Sequence, residues 1–127
     1  MKGFFSKQSS EYAKVRPQYP DELFQFITRL CEERKLVWDC ATGNGQAATS
    51  LANYFEKVFA TDFSEQQISN AFKKENIIYK VESAENSSLE NNSVDLITVA
   101  TATHWFDLEK FYAEVNRVLK PGGVLAL

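Results

Sequence analysis

The sequence predicts an α/β fold: a doubly wound parallel sheet with helices packed on both of its faces. Helix and strand patterns alternate five times along the 127 residues, which calls for parallel strands joined by crossover helices. In addition, residues 36–38 form a short apolar run, typical of a strand that is covered on both faces, and a glycine turn and the start of a helix follow it.

The same patterns place each element along the chain. The first helix begins at Pro20 and Asp21, with Asp21 as its N-cap, and a second helix follows the glycine turn. Ser64 and Gln67 form a capping box that opens a third helix, and Asp107 begins the fourth. The apolar side of the first helix has residues at helical spacing: Leu23, Ile27 and Leu30, with Phe24 and Cys31 beside them. The strands are predicted over residues 36–38, 57–61, 77–81, 94–100 and 124–127, the last after a Lys-Pro-Gly-Gly stop to the fourth helix.

Composition narrows the class of protein. A chain of this length forms one domain at most, and its hydrophobic content of 44% is enough to build a core. Fourteen basic and seventeen acidic residues give a net charge of −3, without the basic stripe of a nucleic-acid binder. No apolar run has membrane-spanning length, and the first residues are too short and polar for a signal peptide. The two cysteines lack the spacing of a zinc site or a disulfide scaffold. We therefore expect a cytoplasmic protein with no metal, nucleic-acid or membrane partner.

Asp39, at the end of the first strand, distinguishes between two classes of ligand. The following Gly43, Gly45 and Ala48 satisfy the loose form of the dinucleotide-binding turn, in which glycine amides and a helix N-terminus receive a pyrophosphate. A carboxylate beside that turn would repel a pyrophosphate, but it would attract an ammonium or a sulfonium. The pattern thus favours a cofactor with a positive end and no phosphate, a description that S-adenosylmethionine fits.

Asp62 supplies a second piece of the predicted site. It lies about twenty residues beyond the glycine turn, at the end of the second strand, where an acid accepts hydrogen bonds from ribose hydroxyls. A ribose occurs in NAD as well as in S-adenosylmethionine, so Asp62 predicts an adenosine ligand without choosing between them. The alternative is an acid that merely starts the third helix. Because the carboxyl ends of parallel strands meet at one edge, we expect Asp39, Asp62 and the residues after the fourth strand to share one crevice.

Four segments of the chain resemble, in order, the motifs of the class I S-adenosylmethionine-dependent methyltransferases. They are the acid-x-x-x-Gly-x-Gly pattern at 39–45, and residues 81–86, 92–100 and 118–125. Residues 11–20 and 103–107 extend the resemblance to the type 11 subgroup, most of whose members modify small molecules. The resemblance implies a Rossmann-like sheet. It covers almost the whole chain but only about the first half of a typical member, because the sequence stops in the fifth strand.

The resemblance also implies which residues bind the cofactor. Ser83 stands where many members carry Asp, so the contact with the adenine amino group is weaker or passes to Glu85, while Ala84 offers its backbone amide to the ring. The implied cofactor-binding residues are Asp39, Ala41, Thr42, Gly43, Gly45, Asp62, Phe63, Ser83, Ala84, Glu85 and Thr101. The product of the reaction would be S-adenosylhomocysteine.

The chain divides into residues 1–20, an N-terminal arm or lid, and residues 21–127, the S-adenosylmethionine-binding domain. In the resembling subgroup such an arm folds over the cofactor. Tyr12, Arg16 and Tyr19 would then offer aromatic faces and a cation that pairs with carboxylates. The alternative is a tail whose aromatic side chains pack on the first helix.

His104 is the candidate catalytic residue. Methyl transfer from a sulfonium is an in-line displacement, so the protein mainly aligns the reactants and excludes water, but an oxygen or nitrogen acceptor also needs a general base. His104 is the only histidine and follows the fourth strand, and its ordinary pKa suits proton removal near neutral pH. Trp105 beside it could wall an acceptor pocket. Alternatively, both side chains pack under the next helix.

The predicted function is methyl transfer from S-adenosylmethionine to a small-molecule acceptor. An NAD-dependent oxidoreductase is one alternative, and a non-catalytic cofactor-binding module is another, because the sheet is cut short. A short apolar edge strand invites pairing with a second copy, so we expect a homodimer through the exposed sheet edge. Asp95 and Cys40 are expected to be structural, the first near a strand's start and the second as a buried filler.

Overall fold

The computed structural model describes residues 19–99 and 107–127 and shows a parallel sheet flanked by helices, which confirms the predicted fold class. Within these ranges no helix is long and apolar enough to cross a membrane. The helices are α1 (Asp21–Arg29), α2 (Gln46–Leu51), α3 (Glu65–Ser69) and α4 (Leu108–Val118). The strands are β1 (Leu36–Cys40), β2 (Lys57–Asp62), β3 (Ile77–Val81), β4 (Val94–Thr98) and β5 (Leu119–Ala126).

The order of strands in the sheet locates the place where a ligand would bind. That order is β3-β2-β1-β4-β5, so the chain builds outward from β1 to β3 and then returns to β4 on the other side of β1. All four pairings are parallel, and Asp39 is in register with Ala60 of β2 and Thr98 of β4. The direction of building therefore reverses between β1 and β4, and sheets of this kind bind ligands at the carboxyl ends of such strands.

Two hydrophobic cores cover the two faces of the sheet, because successive side chains of a strand point to opposite faces. On one face, Val37 of β1 packs with Phe24 of α1 and Leu51 of α2. On the other face, Trp38 packs with Phe111 of α4. The predicted burial of the central strands on both faces is thus confirmed.

All three of these helices begin where predicted, but of the three predicted N-caps two are confirmed and one is wrong. Ser64 caps α3, accepting a hydrogen bond from the amide of Gln67 at 3.2 Å, and Asp107 caps α4. Asp21, in contrast, is the first residue of α1, and Pro20 holds the N-cap position in an extended conformation. The carboxylate of Asp21 instead accepts a hydrogen bond from the Tyr54 hydroxyl at 2.6 Å, which ties α1 to the segment after α2.

The buried face of α1 is offset from the predicted one. Phe24 and Thr28 are buried against the sheet, whereas the exposed fractions of Leu23 and Leu30 are 39% and 53%. A threonine can occupy the buried face because its hydroxyl donates to the carbonyl of Phe24 at 2.6 Å, which satisfies the polar group inside the helix.

The fifth strand begins earlier than predicted. Helix α4 ends at Val118, and β5 already begins at Leu119, so the Lys-Pro-Gly-Gly segment lies inside the strand. The pairing with β4 jumps from Val94–Leu119 to Leu96–Val124, which places the extra residues in a bulge. An edge strand tolerates this, because its outer backbone groups need no partner strand.

Asp95 has the structural role that the sequence predicted. Its carboxylate is buried at the amino edge of the sheet, where it accepts hydrogen bonds from the amides of Lys35 and Leu36 and forms an ion pair with Lys120, each at 2.9 Å. Burial alone would raise the pKa of Asp95, but the bond from Lys120 and the two amides outweigh it and hold the pKa below its usual value. This carboxylate joins the starts of β1, β4 and β5.

The two phenylalanines of α1 test which face of the helix packs. We expect Phe24→Ala to lower the free energy of unfolding by about 3–5 kcal/mol, since it empties a core position. Phe26→Ala is the matched control. Because that ring is 55% exposed, its loss should change the free energy by less than about 0.5 kcal/mol. Equal effects in urea unfolding would contradict this placement of the helix.

Candidate functional site

A tight turn follows β1 and is built from residues in the left-handed region of backbone conformation. The φ angles of Ala41, Gly43 and Gly45 are 58°, 60° and 87°. Glycine adopts this region at no steric cost, whereas Ala41 adopts it at a cost of about 1–2 kcal/mol. The amide of Gly45 donates to the carbonyl of Thr42 at 3.0 Å, and the Thr42 amide donates to Thr61 of β2 at 2.8 Å. The turn is therefore closed on itself and attached to the neighbouring strand.

The two glycines of the turn are needed for different reasons. A Cβ on Gly45 would collide with the ring of Tyr79, whose Cζ would lie 3.1 Å away. Tyr79 in turn donates to the carbonyl of Phe72, whose amide donates to Asn44 within the turn at 3.0 Å. On Gly43, however, a Cβ would meet no atom of the described residues within 4 Å. Gly45 therefore makes room for the side chain of Tyr79, whereas Gly43 leaves its backbone open to an approaching ligand.

Asp39 lies beneath this turn with its carboxylate almost fully buried. One oxygen accepts a hydrogen bond from the Thr42 hydroxyl at 2.6 Å, and the other accepts one from the Thr98 hydroxyl at 2.7 Å. The ion pairs found in the described parts of the chain do not include Asp39. Burial raises the pKa of Asp39 to about 6, the two hydroxyls offset this in part, and the charge of Asp62 adds to it. A cation brought by a ligand would supply the positive charge that the described residues do not place beside Asp39.

Asp62 fixes the turn from the end of β2. One carboxylate oxygen accepts from the amide of Gly43 and the other from the amide of Ser64, both at 2.9 Å. The contact with Ser64 matches the alternative of an acid at the start of a helix. Each oxygen has a further lone pair, so these bonds leave the carboxylate able to accept from a pair of hydroxyls. The adjacent Phe63 is 83% exposed.

Ser83, Ala84 and Glu85 form a small turn beyond the end of β3. Ser83 bridges to Asn86, and Ala84 between them is buried. The carboxylate of Glu85 accepts from the amide of Asp107 at 3.1 Å, a contact with the start of α4 that the sequence did not suggest. The turn after β3 is thereby linked to the start of α4, the helix that precedes β5.

The pKa of the Cys40 thiol reflects both its burial and the carboxylates that lie near it in the site. Burial, the largest cause, raises the pKa of the Cys40 thiol, and nearby negative charges raise it further. Those charges are the carboxylates of Asp39, Glu85 and Asp62. A thiol in this environment stays protonated at neutral pH, as its predicted role of buried filler requires.

A cavity of about 140 Å³ opens beside Asp39, between α1 and the ends of β1, β4 and β5. Asp39 and Thr98 are the polar part of its wall, and Tyr19 stands edge-on to Phe24 with ring centres 6.4 Å apart. The other lining residues are apolar: Leu23, Ile27, Ala47, Val99, Ala126 and Leu127. A molecule in this cavity would touch a buried carboxylate with one end and hydrocarbon with the rest.

The structure brings together most of the predicted cofactor residues at the carboxyl edge of the sheet. Those it places there are Asp39, Ala41, Thr42, Gly43, Gly45, Asp62, Phe63, Ser83, Ala84 and Glu85. Thr101, His104, Trp105, Tyr12 and Arg16 lie outside the described residues, so their roles stay predictions. Tyr19 lines the cavity.

Sequence reasoning missed Thr98 and Tyr79. A hydroxyl within the otherwise apolar end of β4 was a usable signal for Thr98, because a buried polar side chain needs a partner. Tyr79 gave no such signal, since aromatic residues are ordinary in strands.

Comparison with known proteins yields a consistent set of relatives. The family model described as a methyltransferase domain matches residues 38–127. A Dictyostelium discoideum protein assigned as a methyltransferase is 44% identical over 124 residues, which are 97% of this chain and 47% of that protein. A Saccharomyces cerevisiae protein assigned as an S-adenosylmethionine-dependent methyltransferase is 30% identical over 94% of this chain and 44% of its own length. The chain thus spans about half the length of the curated relatives it matches.

Among solved structures, a protein of Anaeromyxobacter dehalogenans assigned as a type II methyltransferase superimposes with a TM-score of 0.85. It is 42% identical in sequence, and the match covers 88% of this chain and 48% of that one.

The raised pKa of Asp39 predicts an unusual pH dependence of the free energy of unfolding. In an unfolded chain the pKa of an Asp is about 3.9, so between about pH 4 and pH 6 the folded protein holds a proton that the unfolded chain has lost. The wild type should therefore lose about 2–3 kcal/mol relative to Asp39→Asn as the pH rises through that window. Urea unfolding of both proteins across this range measures the difference, and a difference that does not vary with pH would contradict the assignment.

Proposed function

Because this chain belongs to the methyltransferase domain family, we propose that it binds S-adenosylmethionine and supports transfer of its methyl group to a small-molecule acceptor, leaving S-adenosylhomocysteine. The observation that carries the proposal is Asp39: a buried carboxylate without a cationic partner in the described parts of the chain, in the wall of a cavity beside an open glycine turn.

The charge of Asp39 selects the ligand. An ammonium or sulfonium near the carboxylate would lower its pKa from about 6 and keep it ionised at neutral pH, so attraction grows as the ligand enters. A pyrophosphate would have the opposite effect, since its charge would add to those of Asp39 and Asp62. This electrostatic difference supports S-adenosylmethionine over NAD.

The remaining contacts of the cofactor follow from the places of the other residues. Asp62 would accept from the ribose hydroxyls with the lone pairs that Gly43 and Ser64 leave free. The exposed ring of Phe63 would lie against the adenine, because a flat aromatic face stacks well on another. Ala84 would offer its amide to the adenine edge.

The catalytic contribution of the chain is alignment and exclusion of water. When bound, S-adenosylmethionine supplies an activated methyl group on sulfur, and transfer is an in-line displacement by the acceptor atom. The glycine turn and Asp39 would hold the methionyl end, and the apolar lining of the cavity would keep water from the reacting centre. His104 would take the proton of an oxygen or nitrogen acceptor, Trp105 would wall the acceptor pocket and Thr101 would contact the cofactor.

The N-terminal arm, residues 1–20, would close over the bound molecules. We propose that Tyr12 and Arg16 contact the cofactor or acceptor there. Arg16 would do so by pairing with a carboxylate of the bound molecule. The position of Tyr19, near the end of the arm, supports this proposal, since it lines the cavity next to Phe24.

Calorimetric titration tests the cofactor. We expect S-adenosylmethionine and S-adenosylhomocysteine to bind and NAD not to bind. We expect Asp39→Asn to lower the affinity for both adenosyl compounds about tenfold, because a charge-assisted contact is lost. Asp95→Asn is the matched control, as it removes a buried carboxylate at the opposite edge of the sheet. Binding of NAD without binding of either adenosyl compound would reject the proposal.

A second measurement separates an enzyme from a non-catalytic module. Labelled methyl from S-adenosylmethionine should pass to a component of a small-molecule metabolite extract. Tight binding of the cofactor without any transfer would instead favour a binding module.

We further propose that β5 pairs with β5 of a second copy. It is the outer strand of the sheet next to β4, so one row of its backbone groups has no strand partner within the described residues. Size-exclusion chromatography with light scattering should give twice the mass of one chain, falling on dilution. A stable monomer at every concentration would contradict this.

A further inference from the structure

Glu114 is a buried acid that the proposed site does not use. It lies on the face of α4 toward the loop between β3 and β4, and 6% of it is exposed. One oxygen accepts from both the amide and the hydroxyl of Ser87, at 2.7 and 2.6 Å. The same oxygen pairs with Arg117 at 2.6 Å, and the other oxygen accepts from the Nε of that residue at 2.9 Å. Both oxygens thus have hydrogen-bond partners within the protein.

Arg117 extends the grip of Glu114 along the loop. Its guanidinium also donates to the carbonyl of Ser87 at 3.2 Å and to the side chain of Asn91 at 2.9 Å. The backbone continues the attachment, because the amides of Asn92 and Ser93 donate to the carbonyls that end α4. The loop is therefore tied to the last turns of one helix at several points.

The same loop carries the turn proposed to meet adenine. Ser87 directly follows the turn at residues 83–86, and the amide of Ser88 returns to the side chain of Glu82 at 3.0 Å. Upstream, the amide of Glu82 donates to the carbonyl of Asp62 at 3.1 Å. The turn is thus attached on one side to Asp62, the acid proposed to bind the ribose, and on the other side to Glu114 through Ser87.

We propose that Glu114 is a positioning residue for the adenine end of the cofactor: by holding Ser87, it fixes the turn that contains Ser83, Ala84 and Glu85. This inference rests on the proposed function. Glu114 acts through the loop and does not itself touch the ligand.

The hydrogen bonds explain why loss of Glu114 would move the loop. Two donors of Ser87, both buried, have Glu114 as their acceptor, and buried donors do not stay without partners. Burial alone would raise the pKa of Glu114, but the bonds from Arg117 and Ser87 hold it below its usual value, so the acid is ionised in the folded protein. Without it, Ser87 would turn to water and carry the preceding turn away from its place.

Three variants test this inference. Glu114→Gln replaces the oxygen pair with one oxygen and one amide group, and Ser87→Ala removes the hydroxyl while leaving the backbone donor. The control is Asp95→Asn, which breaks another buried ion pair, 4% exposed, far from the adenine turn. Thermal unfolding first fixes a temperature at which all four proteins are folded. Ser87→Ala carries the test if Glu114→Gln does not fold.

The readout is calorimetric binding of S-adenosylhomocysteine and of its inosine analogue, in which a carbonyl replaces the adenine amino group. We expect Glu114→Gln to weaken S-adenosylhomocysteine about tenfold, Ser87→Ala about threefold, and Asp95→Asn less than twofold. The preference of the wild type for the adenine compound should shrink in the first two variants and persist in the control.

The possible results separate this inference from the function on which it rests. If the wild type binds neither adenosyl compound, the proposed function fails. If it binds both, but Glu114→Gln and Ser87→Ala keep wild-type affinity and preference, only the role of Glu114 is overturned. An equal loss in Asp95→Asn would overturn it as well, because the effect would then reflect general loss of stability.

Discussion

The carboxylate of Asp39, held between two threonine hydroxyls, is the interaction on which the candidate site depends. Thr42 belongs to the glycine turn and Thr98 to β4, so a single buried acid joins the turn to the strand across the point where the sheet reverses direction. The cavity opens beside this junction. Hydroxyls orient the carboxylate but carry no net charge, and the acid therefore keeps its need for a cation while its position is fixed.

The other buried acids show that this protein can compensate a carboxylate fully when the role is structural. Asp95 has Lys120 and two amides, and Glu114 has Arg117 and Ser87; the pKa of each lies below its usual value. Asp39 is the opposite case, with its pKa raised to about 6. Asp39 is the most deeply enclosed of the three, so its burial and its lack of a cationic partner among the described residues both contribute to the difference. A buried acid at the carboxyl edge of a sheet, with no cationic partner among the described residues, is typical of a functional group, whereas an acid paired with a cation is typical of a structural link within the fold.

The sequence predicted the alternation of elements and the acids at the strand ends, because both are local patterns of polarity and spacing. It could not predict contacts between distant residues: Thr98 reaches Asp39 across 59 positions, and Ser87 reaches Glu114 across 27. The buried face of α1 differs from the predicted one because apolar residues lie on more than one side of that helix, and only packing on the sheet selects Phe24 over Leu30. Likewise, Pro-Gly-Gly ordinarily ends an element, but a bulge at the sheet edge absorbs it within β5.

These distant contacts link the formation of the site to the formation of the fold. The Asp39 junction requires β4 to pair with β1, so the site cannot exist in a chain in which that pairing is absent. Once formed, the junction makes the unliganded protein less stable at neutral pH than it would be with a protonated acid. A cationic ligand that binds only the folded state would remove that disadvantage and stabilise the fold by mass action. The coupling is strongest above the pKa of Asp39, where the acid is ionised, and it weakens below it, where a neutral carboxyl has little to gain from a cation.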